Sequence, residues 1–388
     1  MDSPFKFLNA YEKKDKDIFF GRDKEIKLLY DTTFKANLIL VYGQSGTGKT
    51  SLIQCGLANH FRKTDWFEIF IRRQSNINTS LQREIKKKAA TPIEEGATIV
   101  ESLKSLYLDF LRPVYLIFDQ FEELITLGSK SEQQAFFNTV AEVLKSGVSC
   151  KILIVMREEY IAYLYDFEQI VPQLFDNRIR IEPMHTANVD EVIRGSCKKF
   201  EIEIVNPDET VQEIIENNKN TKGEIQLPFL QVYLDRLYRY AAWESGEGKP
   251  VKFTLDLVKK IGKMSDVMTS FLYEQTGQIT KNLRERYRGS SPEAVWQILN
   301  ELVTIEGTNI PMQKESLISK LSLPKNVLNF CLTELEKARI LHTTEKDTFE
   351  IAHDTLARRI GERRSFDEKA VLRAVKIVKE RFAAYKDT

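Results

Sequence analysis

The chain has 388 residues, enough for roughly two to four domains and for a large buried core that needs neither disulfides nor metal to hold it. Hydrophobic residues make up 42%, with 23 Phe, 14 Tyr and 3 Trp, and the 17 Gly and 11 Pro are too few for a low-complexity chain, so disorder is excluded as the main state. Lys plus Arg at 57 against Asp plus Glu at 56 leaves a net charge of +1, which removes the broad electrostatic footprint of a protein that lives on nucleic acid or anionic lipid. Cys55, Cys150, Cys197 and Cys331 stand far apart, with no CxxC and no nearby His at metal spacing. They read as small buried apolar residues in a reducing compartment. The longest apolar runs, such as Leu38 to Tyr42 and Ile152 to Met156, are strand-length. No signal peptide or membrane span is therefore predicted, and the cytoplasm is the expected location.

From about Asn37 to Glu182, short apolar runs alternate with helical patterns. Strands are predicted at Leu38 to Tyr42, Trp66 to Arg72, Val114 to Phe118, Lys151 to Met156 and Arg178 to Glu182. These are continuous rather than alternating, as in strands buried on both faces, and with helices between them they imply a parallel sheet with right-handed crossovers. Ser129 or Ser131 can cap a helix that runs to Lys145 and is closed by Gly147. After about Met184 the strand signal disappears and apolar residues recur at helical spacing, as at Val189, Val192 and Ile193 and again from Phe229 to Leu237. The tract Trp243 to Pro250 reads as a loop, followed by a long helix from Leu255 towards Tyr287 with a break near Gly262. Ser291 and Pro292 open a helix through Val303; helices at Gln313 to Lys320 and Pro324 to Lys337 precede two extended pieces, Ile340 to Thr343 and Thr348 to Ala352. Three helices and a hairpin are the winged-helix order. The final segment, from Arg358, is rich in basic residues and carries an apolar stripe at Val371, Val375, Val378 and Phe382.

The chemistry starts at Gly43-Gln44-Ser45-Gly46-Thr47-Gly48-Lys49-Thr50, which matches G-x-x-x-x-G-K-[ST] directly after a predicted strand and before the helical stretch Ser51 to Arg62. Such glycines let backbone N–H groups wrap an anion, the lysine reaches the β and γ phosphates of a nucleotide, and the Thr50 hydroxyl serves Mg2+. Val114 to Phe118 ends in Asp119, at the same sheet edge, where a carboxylate can hold Mg2+ through water. Glu122 or Glu123 can polarise the attacking water as general base. Arg157 ends the next strand, where a guanidinium can sense the γ phosphate or stabilise its departing charge; the alternative is a pair with Glu158 or Glu159. Arg178 is a weaker candidate for the same work across a subunit boundary, against a local pair with Asp176. His60, His185 and His342 read as structural.

Phe20-Gly21-Arg22 upstream of the phosphate loop, the Asp119-Gln120-Phe121-Glu122-Glu123 strand end, Arg157, Leu227-Pro228 and the late Ile351-Ala352-His353-Asp354 together resemble the STAND class of P-loop ATPases. The likeness is to its bacterial novel STAND branch, related to AAA+ proteins and more distantly to NACHT and NB-ARC modules, and it extends from about residue 4 to 365. The resemblance implies an α/β fold: a five-stranded parallel P-loop sheet of the ASCE/AAA+ kind over 1–185, a helical lid over 186–260, a winged-helix domain with a leading helix over 261–365 and a C-terminal amphipathic helix over 366–388. It also implies that Phe20, Gly21 and Arg22 lie against adenine and ribose, that Pro228 presses on the adenine from the lid, that Gly43 to Ser51 hold the phosphates, and that His353 contacts the β phosphate of ADP. Gln120 stands where the related NACHT pattern has a small residue, and Ala352 where the winged-helix motif has Met.

The expectation is an ATP- and ADP-binding, Mg2+-dependent, slowly hydrolysing switch. ADP closes the chain; exchange for ATP permits assembly into a homo-oligomer, in signalling or antiphage defence, with a sensor or effector protein as partner. No sensor repeat or effector segment is legible, and the terminal apolar stripe has nothing left in the chain to cover it, so either the chain is part of a longer protein or that helix folds back on the winged helix. The competing reading is an initiator-like AAA+ ATPase whose winged helix binds nucleic acid. Against it, Glu334 and Glu336 offset Lys325 and Lys337 on the would-be recognition helix, and neither nucleic acid nor a membrane is the expected partner. A kinase of a small metabolite shares the phosphate loop but gives no reason for the winged helix.

Overall fold

The computed structural model describes residues 3–6, 9–62, 64–220, 223–246, 248–263, 267–338, 340–344, 347–352 and 354–364. The chain divides into two compact units, Met1–Ser265 and Asp266–Thr388.

The first unit is built on five strands, β1 (Leu38–Gly43), β2 (Phe67–Ile71), β3 (Val114–Phe118), β4 (Cys150–Arg157) and β5 (Arg178–Arg180). Their order is β2-β3-β4-β1-β5 and every pairing is parallel. Alternate side chains explain why β1, β3 and β4 are apolar almost throughout, whereas β5 buries Ile179 between two exposed arginines and stops short of the predicted Glu182. Leu38, Leu40, Leu116, Phe118, Ile152 and Ile154 enter one core with Phe136 and Phe137, while Ile39, Val41, Tyr115, Ile117, Leu153 and Val155 enter the other with Leu52, Ile53 and Leu57. The helix Lys130–Lys145 takes Ser129 as its cap, whose Oγ accepts from the Glu132 N–H at 3.1 Å, and Gly147 ends the turn with φ +70°.

Beyond the sheet come the helices Thr186–Lys199, Pro207–Asn218, Leu227–Ser245 and Leu255–Ile261, the expected helical subdomain. Two details differ from expectation. Strands β6 (Glu203–Ile204) and β7 (Lys252–Phe253) pair in parallel, two residues each and too short to leave a periodic signal. The helix also continues to Ser245 through Trp243, so the loop begins later, at Gly246 with φ +81°. Gly262, at φ +73°, ends the last helix where a break was predicted.

The second unit holds the helices Val267–Arg286, Ala294–Glu301, Lys314–Lys320, Lys325–Lys337 and Asp354–Arg363 with a three-stranded antiparallel sheet. Strand β8 (Met312–Gln313) pairs with β10 (Thr348–Ile351), which also pairs with β9 (Leu341–Thr344). Helix, short strand, two helices and hairpin make a winged helix; β8 escaped prediction because it too is two residues long. Helix Lys325–Lys337 buries Val327, Leu328, Cys331, Leu332 and Leu335, while Lys337 pairs with Glu334 at 2.7 Å and Glu336 accepts from Thr343 at 2.6 Å. Across the hairpin His342 Nε2 lies 2.5 Å from Glu350 Oε1, a structural role like that of His60, whose ring packs on Tyr30. The side chain of Asn309 exchanges two hydrogen bonds with the backbone of Ile351, and buried Arg364 donates to the carbonyls of Asn300, Val303 and Thr304. His353 and the stripe from Val371 to Phe382 lie outside the described residues. No helix among those described is long and apolar enough to cross a membrane.

Candidate nucleotide site

Gly43 ends β1 where a Cβ would stand 2.2 Å from the Ile181 carbonyl oxygen, so only glycine lets the strand pass that backbone. Two further glycines, Gly46 at φ +81° and Gly48 at φ +87°, turn the chain through left-handed conformations. Thr47 Oγ1 closes the loop onto the Gln44 carbonyl at 2.9 Å. Lys49 folds back over it, its Nζ donating to the carbonyls of Gly43 at 2.8 Å and Gln44 at 2.9 Å. Ser45 Oγ is buried with no hydrogen-bond partner among the described residues. A lysine ammonium at the mouth of a turned loop and an orphaned hydroxyl inside it suit the oxygens of a polyphosphate. The stretch that follows is helical from Lys49 to His60, but its middle, Leu52–Leu57, is a π-helix. Sequence patterning cannot distinguish that widened turn from an α-helix.

Asp119 leaves β3 at the carboxyl edge of the sheet, 5% exposed. Thr50 Oγ1 donates to its carboxylate, 3.0 Å from Oδ1 and 3.1 Å from Oδ2, and Arg72 Nη2 donates to Oδ2 at 3.1 Å. A hydroxyl and a carboxylate in contact are the hard oxygen donors that Mg2+ takes. Among the described residues no group of three or more His, Cys, Asp or Glu could hold a metal ion, so these two ligands fit an ion completed by phosphate and water rather than an all-protein cage. Bound there, Mg2+ would neutralise charge on the phosphate oxygens.

Glu122 and Glu123 open the helix Glu122–Leu127 and are buried. Arg157 is turned onto Glu122: its Nε lies 3.3 Å from Oε1 and its backbone N–H donates to Oε2 at 3.2 Å. Glu158, one of the two alternative partners, pairs with Arg180 at 2.9 Å. Arg178 is exposed, and its guanidinium lies 5.9 Å from the centroid of Phe175. Between Asp119 and Glu122 the chain passes through Gln120 at φ +56°, the left-handed conformation that glycine would adopt without strain.

Two other segments close on this edge. Arg22 is buried and donates through Nη2 to the carbonyls of Thr47 at 2.9 Å and Glu182 at 3.1 Å, and it also pairs with Glu25. The phosphate loop is thereby tied to the residue pair following β5. Gly21, at φ +76°, approaches the helix Thr186–Lys199, where Asn188 Nδ2 donates to its carbonyl at 2.8 Å, and the Phe20 ring lies over Gly195 of the same helix. From the other side the helix Leu227–Ser245 presents its first residues to the loop. Pro228 Cδ stands 3.4 Å from where a Gly46 Cβ would be, and Leu227 Cδ1 stands 3.3 Å from that of Gly48. Ser51 Oγ accepts from the Tyr11 N–H at 3.0 Å.

The model of Novel STAND NTPase 1 matches residues 4–370. The chain belongs to this family. Among solved structures, a Walker-type ATPase of Pyrococcus abyssi is 16% identical, with 91% of this chain and 98% of that one covered and a TM-score of 0.48. The ORC2 protein of Aeropyrum pernix, solved as ADPNP–ADP complexes, is 13% identical, with 92% and 95% covered and a TM-score of 0.50. Likeness to the Aeropyrum pernix protein, at such identity, concerns the fold alone. None of the curated proteins matches the sequence.

In this STAND NTPase the sheet edge brings together Gly43 to Ser51, Asp119, Glu122, Glu123, Arg157, Gly21, Arg22 and Pro228. Sequence reasoning missed two contributors. Arg72 was available as the first of two arginines at the end of a predicted strand, but its partner depends on which strand lies next to it. Tyr11 sits in an N-terminal segment with no motif of its own, and burial and the nearby Asp15 push its hydroxyl well above the usual tyrosine range.

Proposed function

We propose that this STAND NTPase is a nucleotide-controlled switch that binds ADP and ATP with Mg2+ at the loop Gly43 to Ser51 and turns ATP over slowly. Thr50 and Asp119 would supply the protein's metal ligands, and Lys49 the phosphate-facing cation. The observation that carries the reading is the seating of Leu227 and Pro228 directly on Gly46 and Gly48. A polyphosphate held in the loop would lie beside these lid residues, so filling the loop and placing the lid would be coupled. A ligand moves such an equilibrium only by its difference in affinity for the two arrangements, and a few contacts to one nucleotide state supply a few kcal/mol.

Slow turnover has support in the same edge. Glu122, one of the two candidate bases, is held by the side chain and backbone of Arg157 and must be released before it can orient water. Exchange of ADP for ATP would then free surface for a second copy of the chain and for a sensor or effector protein, in signalling or antiphage defence. The test joins kinetics and size. Steady-state turnover below about 1 per second and a larger species by light scattering for the double variant Glu122→Gln/Glu123→Gln in ATP than for the unaltered chain in ADP are expected. Fast turnover with one size in both nucleotides would contradict the switch.

A further inference from the structure

Strands β2 and β3 bring a cation to the carboxylate assigned to the metal. Ile71 is paired with Phe118, and the Asp119 N–H donates to the Ile71 carbonyl at 3.0 Å, so Arg72 and Asp119 leave the sheet side by side. Arg72 Nη2 then lies 3.1 Å from Oδ2, the oxygen that Thr50 also reaches. A carboxylate 5% exposed has lost most of its water and needs positive charge beside it. Arg73 is bidentate to Glu132 at 2.9 and 2.8 Å and donates to the carbonyls of Gln74 and Ser75, which fixes the backbone of the turn. The Arg72 side chain is 32% exposed and follows an edge strand, so solvent is open to it.

We propose that Arg72 is a resident stand-in for the divalent cation, neutralising Asp119 until the metal arrives and competing with it for that carboxylate. The inference rests on the nucleotide reading above and adds how metal and nucleotide binding are coupled. A guanidinium cannot shed its charge, so two cations at one carboxylate repel until one moves. Mg2+ draws its oxygen ligands to about 2.0–2.1 Å. The partly exposed arginine is the partner that yields, towards water. Arg72 therefore weakens metal binding and keeps the empty site folded around a compensated Asp119.

The experiment measures ADP affinity by calorimetry in EDTA and in Mg2+, for the intact chain and for Arg72→Ala. The ratio of the two dissociation constants reports metal coupling, and it is expected to rise about tenfold in the variant. A second readout needs no nucleotide: millimolar Mg2+ alone should raise the thermal midpoint of Arg72→Ala more than that of the intact chain. Should the alanine variant fail to fold, Arg72→Gln keeps the length without the charge and carries the same expectations. An unchanged or smaller ratio in a folded variant overturns the proposal. So does an equal loss of ADP affinity in both buffers, which would make Arg72 a phosphate ligand instead. If the intact chain binds ADP in neither buffer, the nucleotide assignment fails, and the Mg2+ effect on unfolding still decides the role of Arg72.

Discussion

Gln120 shows what a single residue reveals about the strand end that carries Asp119. Its φ of +56° is a conformation that costs an L-residue about 1–2 kcal/mol, and its buried Oε1 has no hydrogen-bond partner among the described residues. Gln120→Gly should therefore raise stability by about 1 kcal/mol, the relief of strain exceeding the extra freedom of the unfolded chain. Chemical denaturation checks this, and a loss of stability would mean that the glutamine side chain supports the turn. The Gly-Lys-Thr loop was legible because its chemistry depends on spacing within eight consecutive residues. The company kept by Arg157 and Arg72 was not, since each meets its carboxylate across a strand pairing that no local pattern encodes. Pro228 was legible as a lid residue, whereas its seat on Gly46 emerged only from the packing of a helix more than 170 residues downstream of the loop.

At the scale of elements, ion pairs differ in value according to what they hold. Arg73 and Glu132 have side chains 9% and 5% exposed, and Glu132 also accepts from the Ile77 N–H at 2.8 Å, so one buried pair joins the end of β2, the helix Ile77–Lys88 and the helix Lys130–Lys145. Lys130 and Asp166, at 78% and 64%, hold nothing comparable. Arg73→Ala should cost about 3–5 kcal/mol by leaving a buried carboxylate uncompensated, while Lys130→Ala should cost under about 1 kcal/mol. Unfolding midpoints in urea provide the comparison, and similar losses in the two variants would refute it. Strands β1, β3 and β4 were readable because burial on both faces makes them nearly continuous apolar runs, whereas β5 has both its arginines exposed. The elements that were not, β6, β7, β8 and the π-turn Leu52–Leu57, are either two residues long or differ from an α-helix only in hydrogen-bond register.

For the whole molecule, burial of neutral acids sets an alkaline limit. Desolvation pushes Cys55 up to about 11 and Cys150, Cys197 and Cys331 to about 12, all of them free thiols. Tyr115 and Tyr233 rise to about 12 in the same way. The folded state thus keeps protons that the unfolded chain releases from about pH 9 upwards, near the ordinary thiol value of 9.0. Stability from this source is complete below that point and falls as pH rises towards 11 to 12. Of these groups only Cys331 belongs to the second unit, so the unit Met1–Ser265 should lose stability first, with two transitions separating on calorimetry above pH 9 and a single shared shift arguing against it. The claim on which the rest depends is that the loop from Gly43 to Ser51 grips a nucleotide. Titration of ADP into the intact chain and into Lys49→Ala tests it most directly. Binding by the first and a loss of at least about 100-fold in the second, near 2.8 kcal/mol, are predicted; equal affinities, or no heat from the intact chain, would contradict it.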